Sequence, residues 1–229
     1  MAFAFAEAGA DVIVSSRKPD ACELTAKEIE QATGRRAEGL PCHVGSWTGI
    51  EALVEAAYDR FERLDVLVNN AGMSPLFPTL EDVSEALWDK VIDVNLKGPF
   101  HLSALVGSRM ASGDGGSIIN VSSVAAMRPV PDDLPYAAAK AGLDALTAGF
   151  AQAYGPKVRV NTIMAGPFLT DISKAWDMDA FEGLAATYPL ARGGRPDEIV
   201  GAALYLAGDA SSFTTGSVLR VDGGMAVVR

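Results

Sequence analysis

Two hydrophobic periods alternate along the chain. Short runs rich in β-branched residues recur: Val12–Ser15, a stretch ending at Cys42-His43-Val44, Val66–Asn69, Ser117–Val121, Val158–Ile163 and Ser217–Val221. Their nearly continuous apolar character predicts parallel strands covered on both faces. Between them lie longer amphipathic stretches: Ala21–Thr33, Thr48–Arg63, Ser84–Met110, Pro135–Tyr154 and Pro196–Ala207. Strand and helix in alternation predict βαβ units with right-handed crossovers. The expected fold is α/β, a Rossmann-like doubly wound parallel sheet with helices on both faces.

The opening segment departs from that scheme. Ala2–Ala8 reads as the last two turns of a helix, with Gly9 as its C′ residue. A chain of this architecture opens with a strand and a glycine-rich turn, and no G-x-G-x-x-G cluster stands before Gly9. The expected sheet therefore lacks its first, central strand and the glycine-rich loop. A start assigned too far downstream is the favoured explanation, and a naturally shortened chain is the alternative.

Composition narrows the function classes. A chain of 229 residues, 49% of them hydrophobic, fits one domain spanning 1–229. Its net charge of −10 argues against a nucleic-acid groove or a basic membrane patch, while leaving room for an anionic cofactor held by local donors. The apolar opening MAFAFAEAGA is too short to span a bilayer and has no basic flank. Cys22 and Cys42 form no C-x-x-C pair, so neither a disulfide scaffold nor a metal site is expected. Such cysteine usage points to a reducing, cytoplasmic setting.

Candidate chemistry centres on Tyr136-Ala-Ala-Ala-Lys140. On a helix, positions i and i+4 share a face. Free tyrosine has a pKa of about 10, too high for acid–base work at neutral pH, and a neighbouring ammonium lowers it. The spacing alone is weak, because such pairs also occur by chance on solvated helices. Its context is stronger. Ser122-Ser123 ends a predicted strand thirteen positions before Tyr136, counting from Ser123, and ligands of doubly wound sheets gather at strand carboxyl ends. Asn69-Asn70-Ala71-Gly72 ends another strand, and Val94-Asn95-Leu-Lys-Gly98 lies inside a helical stretch.

Together with R-V-N-T-I and V-D-G-G further on, these ordered motifs resemble the short-chain dehydrogenase/reductase family over the whole chain. The resemblance implies an NAD(P)-dependent oxidoreductase that moves hydride between a nicotinamide cofactor and a small carbonyl or alcohol substrate. Its implied tetrad is Ser123, Tyr136, Lys140 and Asn95. Tyr136 would be acid in reduction and base in oxidation. Lys140 would hold the nicotinamide ribose and lower the tyrosine pKa. Ser123 would hold the substrate oxygen. Asn95 would kink its helix and fix a relay water. Ser122 is the less favoured hydroxyl, its spacing to Tyr136 being one too long.

The resemblance also implies cofactor contacts at Asn70, Ala71, Gly72, Gly166, Phe168 and Thr170. Ala165-Gly166-Pro167 inverts the family's Pro-Gly order. His43, followed by Val44, stands where the family commonly has an adenine-touching aspartate. The Cys42-His43-Val44-Gly45 run resembles a carbonyl-reductase branch acting on retinal-like and aromatic ketones. Ser16 occupies the place of the carboxylate that an NAD site wants, and Arg17 follows, so NADP is favoured over NAD. Residues 167–195, with Phe168, Trp176, Met178, Phe181 and Tyr188, would form a substrate lid over an apolar pocket, or plain lid-to-core packing. A homotetramer or dimer is implied by small residues in Pro135–Tyr154 beside Ser84–Met110, with a second interface at Val218–Val228. The competing reading is a shortened, catalytically incompetent relative with a structural or interaction role.

Overall fold

The computed structural model describes residues 1–227. Six strands and eight α-helices alternate: α1 (Ala2–Glu7), β1 (Val12–Val14), α2 (Pro19–Thr33), β2 (Ala37–Gly39), α3 (Trp47–Arg60), β3 (Val66–Asn69), α4 (Glu85–Ile92), α5 (Gly98–Ser112), β4 (Gly116–Ser123), α6 (Leu134–Tyr154), β5 (Val158–Ala165), α7 (Met178–Ala185), α8 (Val200–Ala207) and β6 (Val218–Val221). All strand pairs are parallel. The fold is the expected Rossmann-like sheet with helices on both faces. Ile118 and Ile119, adjacent in β4 and both wholly buried, show why: one packs into the cluster with Ile50 and Val54 of α3 and Leu102 and Val106 of α5, the other against Ala203 and Leu206 of α8. A strand alternates its side chains between faces, so two consecutive isoleucines need two covering layers.

The sheet falls into two parts. β1 pairs with β2, and β3 to β6 run in order as a second ladder. Among the described residues no strand hydrogen-bonds to both ladders. Val66, Leu67 and Val68 of β3 are half-buried, whereas β4 has a wholly buried centre. Phe5 of α1 spans the divide, packing against both the Val12–Ile29 cluster and the Ile119–Leu206 cluster. Gly9 has φ of 100°, the left-handed region expected of the residue that ends α1.

Three boundaries differ from the sequence reading. β2 ends at Gly39, before Cys42-His43-Val44. Pro41 lacks an N–H and interrupts the ladder, although the Leu40 amide still donates to Val14 O (3.0 Å) and the Cys42 amide to Ser16 O (2.9 Å). The stretch 84–110 is not one helix, because a π turn over Asp93–Lys97 separates α4 from α5. Pro99 cannot donate an amide back to residue 95, so the regular ladder fails there. The last helix starts at Val200, four residues later than expected. Gly98, just past the π turn, is compelled by packing: a Cβ there would lie 2.1 Å from the Val44 carbonyl oxygen.

Candidate active site

The site forms where β3, β4 and β5 end and α6 begins. Eight-residue β4 delivers Ser122 and Ser123 at its carboxyl end, and the strand's alternation turns them to opposite sides. Ser122, 2% exposed, faces α6 and donates to the Lys140 carbonyl (3.3 Å). The Ser123 hydroxyl accepts the Ala125 amide (3.2 Å) and lies close enough to the Tyr136 phenol to draw its pKa down.

Tyr136 and Lys140 lie one turn apart on α6. Burial pushes the Tyr136 phenol above its ordinary value; the Ser123 hydrogen bond opposes this and the Asp133 carboxylate adds to it. The expected lowering of the phenol by Lys140 is not among the influences on Tyr136, whose burial dominates and favours the neutral acid. The Lys140 ammonium lies 5.6 Å from the phenol ring centroid. Lys140 is 3% exposed and donates to Val121 O (2.8 Å). Burial lowers it from 10.5 to about 8, with the Asp144 carboxylate opposing.

Asn95 sits within the π turn, fully buried. Its Nδ2 donates to Met73 O and to Val91 O, both at 2.9 Å, and its Oδ1 accepts the Met73 amide (3.1 Å). The side chain therefore clamps the segment that follows β3 against the helix. Gly72 is pressed into this clamp: a Cβ would lie 3.0 Å from Asn95 Oδ1 and 3.6 Å from Lys140 Nζ. A side chain there would fill the space in front of the ammonium. Beneath, the buried Asn69, Asn120, Thr147 and Thr162 tie β3, β4, α6 and β5 together. Asn69 Nδ2 donates to Asn120 Oδ1 (2.8 Å), Asn120 Nδ2 to Thr147 Oγ1 (2.8 Å), and Thr147 meets Thr162 at 2.7 Å.

Asn70 and Ala71, both exposed, link the end of β3 to Gly72, and the remaining sequence-predicted residues form two further groups. Ser16, Arg17, His43 and Val44 follow β1 and β2. The Ser16 hydroxyl is turned inward to Cys22 Sγ (3.1 Å), while Arg17 is exposed. His43 Nδ1 accepts the Gly45 amide (3.0 Å), which leaves the ring proton on Nε2. Gly166, Phe168 and Thr170 lead into the segment that carries α7. Here the Leu169 amide donates to Gly194 O and the Gly194 amide to Pro167 O, both at 2.9 Å, joining the two ends of the segment 167–195. A cavity of ≈ 220 Å³ lies beneath, lined among others by Gly166, Phe168, Arg192 and Asp222. A wider groove of ≈ 660 Å³ runs along Leu169, Thr170, Lys174 and Met178. Ser123, Tyr136 and Lys140 line neither of them, so we place the chemistry by the polar cluster and not by cavity size.

The residues fit a nicotinamide ribose. Lys140 has three N–H groups and one hydrogen bond to the backbone, at a place with almost no water access, beside a glycine that leaves the approach open. Asp133 and Asp144 were missed by the sequence reading. Their signal is spacing: Asp133 stands at the N-cap of α6, and positions 136, 140 and 144 follow i, i+4 and i+8 on one face of that helix.

Comparison with known proteins identifies the family. Residues 1–226 match the family model described as Enoyl-(Acyl carrier protein) reductase. The chain is 37% identical over 222 residues to "Dehydrogenase/reductase SDR family member 4" of Bos taurus, covering 96% of this chain and 79% of that protein. It is 36% identical over 224 residues to the 3-oxoacyl-[acyl-carrier-protein] reductase FabG of Thermotoga maritima, covering 97% and 90%. Among solved structures it superimposes on a gluconate 5-dehydrogenase from Burkholderia cenocepacia J2315 in complex with NADP and tartrate, with TM-score 0.94, 31% identity and coverage of 100% and 90%. An NADPH-dependent 3-quinuclidinone reductase from Rhodotorula rubra gives TM-score 0.93 at 30% identity, covering 99% and 86%. With its sheet, its π-turn asparagine clamp and its Ser–Tyr–Lys cluster at the strand ends, the chain belongs to the short-chain dehydrogenase/reductase family of NAD(P)-dependent oxidoreductases.

Proposed function

We propose that the protein is an NADP(H)-dependent reductase of small ketones and aldehydes, and the corresponding alcohol dehydrogenase in reverse, with Tyr136 as its acid–base group. The observation that carries this reading is the placement of Ser123, at the carboxyl end of β4, beside Tyr136 and the buried Lys140, one turn apart on α6. A bound nicotinamide supplies the hydride. Ser123 polarises the substrate carbonyl oxygen, and Tyr136, held neutral by burial, gives that oxygen its proton. Lys140 holds the ribose and favours the phenolate left behind. The asparagine clamp keeps Gly72 and its neighbours close to that ribose. Phe168 and Thr170 meet the nicotinamide amide, and residues 167–195 close over an apolar substrate.

NADP is favoured over NAD because Arg17 is exposed at the carboxyl end of β1 and no acid occupies position 16. The NADP-bound and NADPH-dependent structural relatives support this choice. Charge-assisted bonds to a 2′-phosphate contribute about 1.5–3 kcal/mol each. Arg17→Ala is therefore expected to weaken NADPH about ten- to a hundredfold and NADH much less. The test is to follow ketone reduction with each cofactor for both proteins. Failure of the unaltered protein to reduce any aromatic or alicyclic ketone with NADPH would refute the reading, and equal losses for both cofactors would remove the preference for NADP.

The assembly is a homodimer or homotetramer. Large apolar side chains are exposed on α4 (Trp88), α5 (Phe100) and α6 (Leu134), and again at Tyr205, Phe213 and Val218, with Phe213 wholly exposed. Apolar surface of this kind is covered by self-association. Light scattering is expected to give two or four copies per particle, and a monomer at micromolar concentration would count against it.

A further inference from the structure

The Tyr136–Lys140 pair is bracketed by two carboxylates, Asp133 at the N-cap of α6 and Asp144 within it, and the inner one has no part in the chemistry described so far. Asp144 lies one turn beyond Lys140, where residues four apart are neighbours. Its Oδ1 is buried without a hydrogen-bond partner. Ser122, the hydroxyl turned away from Tyr136, lies between the Lys140 backbone and the Asp144 carboxylate. An acid in such a place is costly unless it compensates another buried charge. We infer that Asp144 is a positioning residue for the reaction: its carboxylate holds Lys140 in the ammonium form inside a site that would otherwise strip its proton. The inference rests on the reading of Lys140 as the ribose- and tyrosine-facing lysine.

The surroundings of Lys140 leave Asp144 as the countercharge. The hydrogen bond of its Nζ goes to the neutral Val121 carbonyl at 2.8 Å. Tyr136 is a neutral phenol, and Asn95 and Gly72, which face the ammonium from the π turn and the segment after β3, carry no charge. Asp93 and Lys97 of the π turn pair with each other at 2.7 Å. Glu85, Asp89 and Lys90 of α4 are exposed. Ser122, Asn120 and Thr162 of the underlying strands are neutral, as is Thr147. Burial drives Lys140 down to about 8, and the Asp144 field opposes it. Burial in turn pushes Asp144 up, and the Ser122 hydroxyl and the Lys140 charge draw it back down. The two groups thus stabilise each other's ionised forms. With the counterion removed, a lysine titrating near 8 would lose its proton within the physiological range.

The experiment follows Lys140 directly. The protein is prepared with isotope-labelled lysine, and the side-chain NMR resonance lost in Lys140→Met is titrated with pH. Asp144→Asn keeps the shape and removes the charge. It is expected to lower the Lys140 midpoint by about one pH unit, the lower end of the range for one opposite charge nearby. Asp144→Glu is expected to keep the midpoint near its original value. The alkaline limb of kcat/KM with NADPH and a ketone should fall by the same amount as the midpoint. Should the asparagine variant fail to fold, Asp144→Leu removes the charge while suiting the apolar surroundings, with the same expected shift. An unmoved midpoint in a folded neutral variant overturns the inference, whatever happens to kcat. A midpoint that falls while the limb stays overturns the positioning role. Absence of turnover in the unaltered protein overturns the functional reading and with it this role, and it is seen before any variant is made.

Discussion

Tyr136→Phe is expected to abolish reduction while leaving NADPH binding nearly intact. General acid catalysis by a positioned side chain contributes about 10²–10⁴-fold, so a loss of at least about a hundredfold in kcat is expected. The phenyl ring keeps the volume of a largely buried side chain, and α6 keeps its first turn. Only the hydroxyl goes, and with it the partner of Ser123. Ser123 still accepts the Ala125 amide, so its orientation survives. Single-turnover measurements with fluorescence-detected NADPH binding separate the two effects. Retention of more than a few per cent of kcat would move the proton donor elsewhere. The pH dependence has a stated sign. Burial raises Tyr136, so the phenol stays protonated through neutral pH, and the first loss of activity on raising the pH comes from Lys140 near 8.

Lys140→Met is expected to abolish activity and yet leave the fold at least as stable at pH 7. The drop of Lys140 from 10.5 in the unfolded chain to about 8 in the folded one corresponds to about 3 kcal/mol against the charged form. Below pH 8 the lysine is charged in both states, and folding bears that whole cost. Between 8 and 10.5 the folded protein has released the proton and the unfolded chain has not, so the cost fades as pH rises. Above 10.5 it is gone. Methionine removes the charge at similar length but leaves the Val121 carbonyl without its partner, a loss of about 1–3 kcal/mol. The difference places the variant between equal stability and about 2 kcal/mol more stable at pH 7. The advantage should shrink as the pH is raised from 8 towards 10.5. Urea unfolding at several pH values measures it. A variant more than about 2 kcal/mol less stable at pH 7 would mean that Asp144 offsets the buried ammonium more fully than the lowered Lys140 value implies. An active-site lysine that costs stability is the trade expected where charge is buried for chemistry.

Much of the architecture was legible from pattern alone. Runs such as Ser117–Val121 are too short and too continuously apolar for a surface helix, and their alternation with amphipathic stretches admits few arrangements besides a parallel sheet with two helical layers. The tyrosine–lysine pair was legible because helical spacing alone puts both on one face. Ser123 is preferred to Ser122 in sequence by its spacing to Tyr136, and in space Ser122 turns to the Lys140 carbonyl while its neighbour on β4 takes the other side. The π turn was less legible. Pro99 interrupts a ladder in many ways, and only the buried Asn95 side chain, reaching both Val91 and Met73, shows which form the interruption takes.

Local rules by themselves determined the elements, their order, the two-sided burial of the strands and the shared helix face of Tyr136 and Lys140, while the resemblance to the family singled out Ser123. Each follows from periods of two and 3.6 residues and from steric limits that act within a few residues. Tertiary structure alone decided the ionisation states. The Tyr136 phenol is raised because burial outweighs its hydrogen bond, and Lys140 is lowered because burial outweighs the Asp144 field. It alone also decided that Gly98 must be glycine, through a carbonyl of Val44 more than fifty residues earlier, and that Asn95 grips Met73 from twenty-two positions away. Desolvation and close packing depend on groups distant in sequence and adjacent in space, and no local pattern encodes their separation.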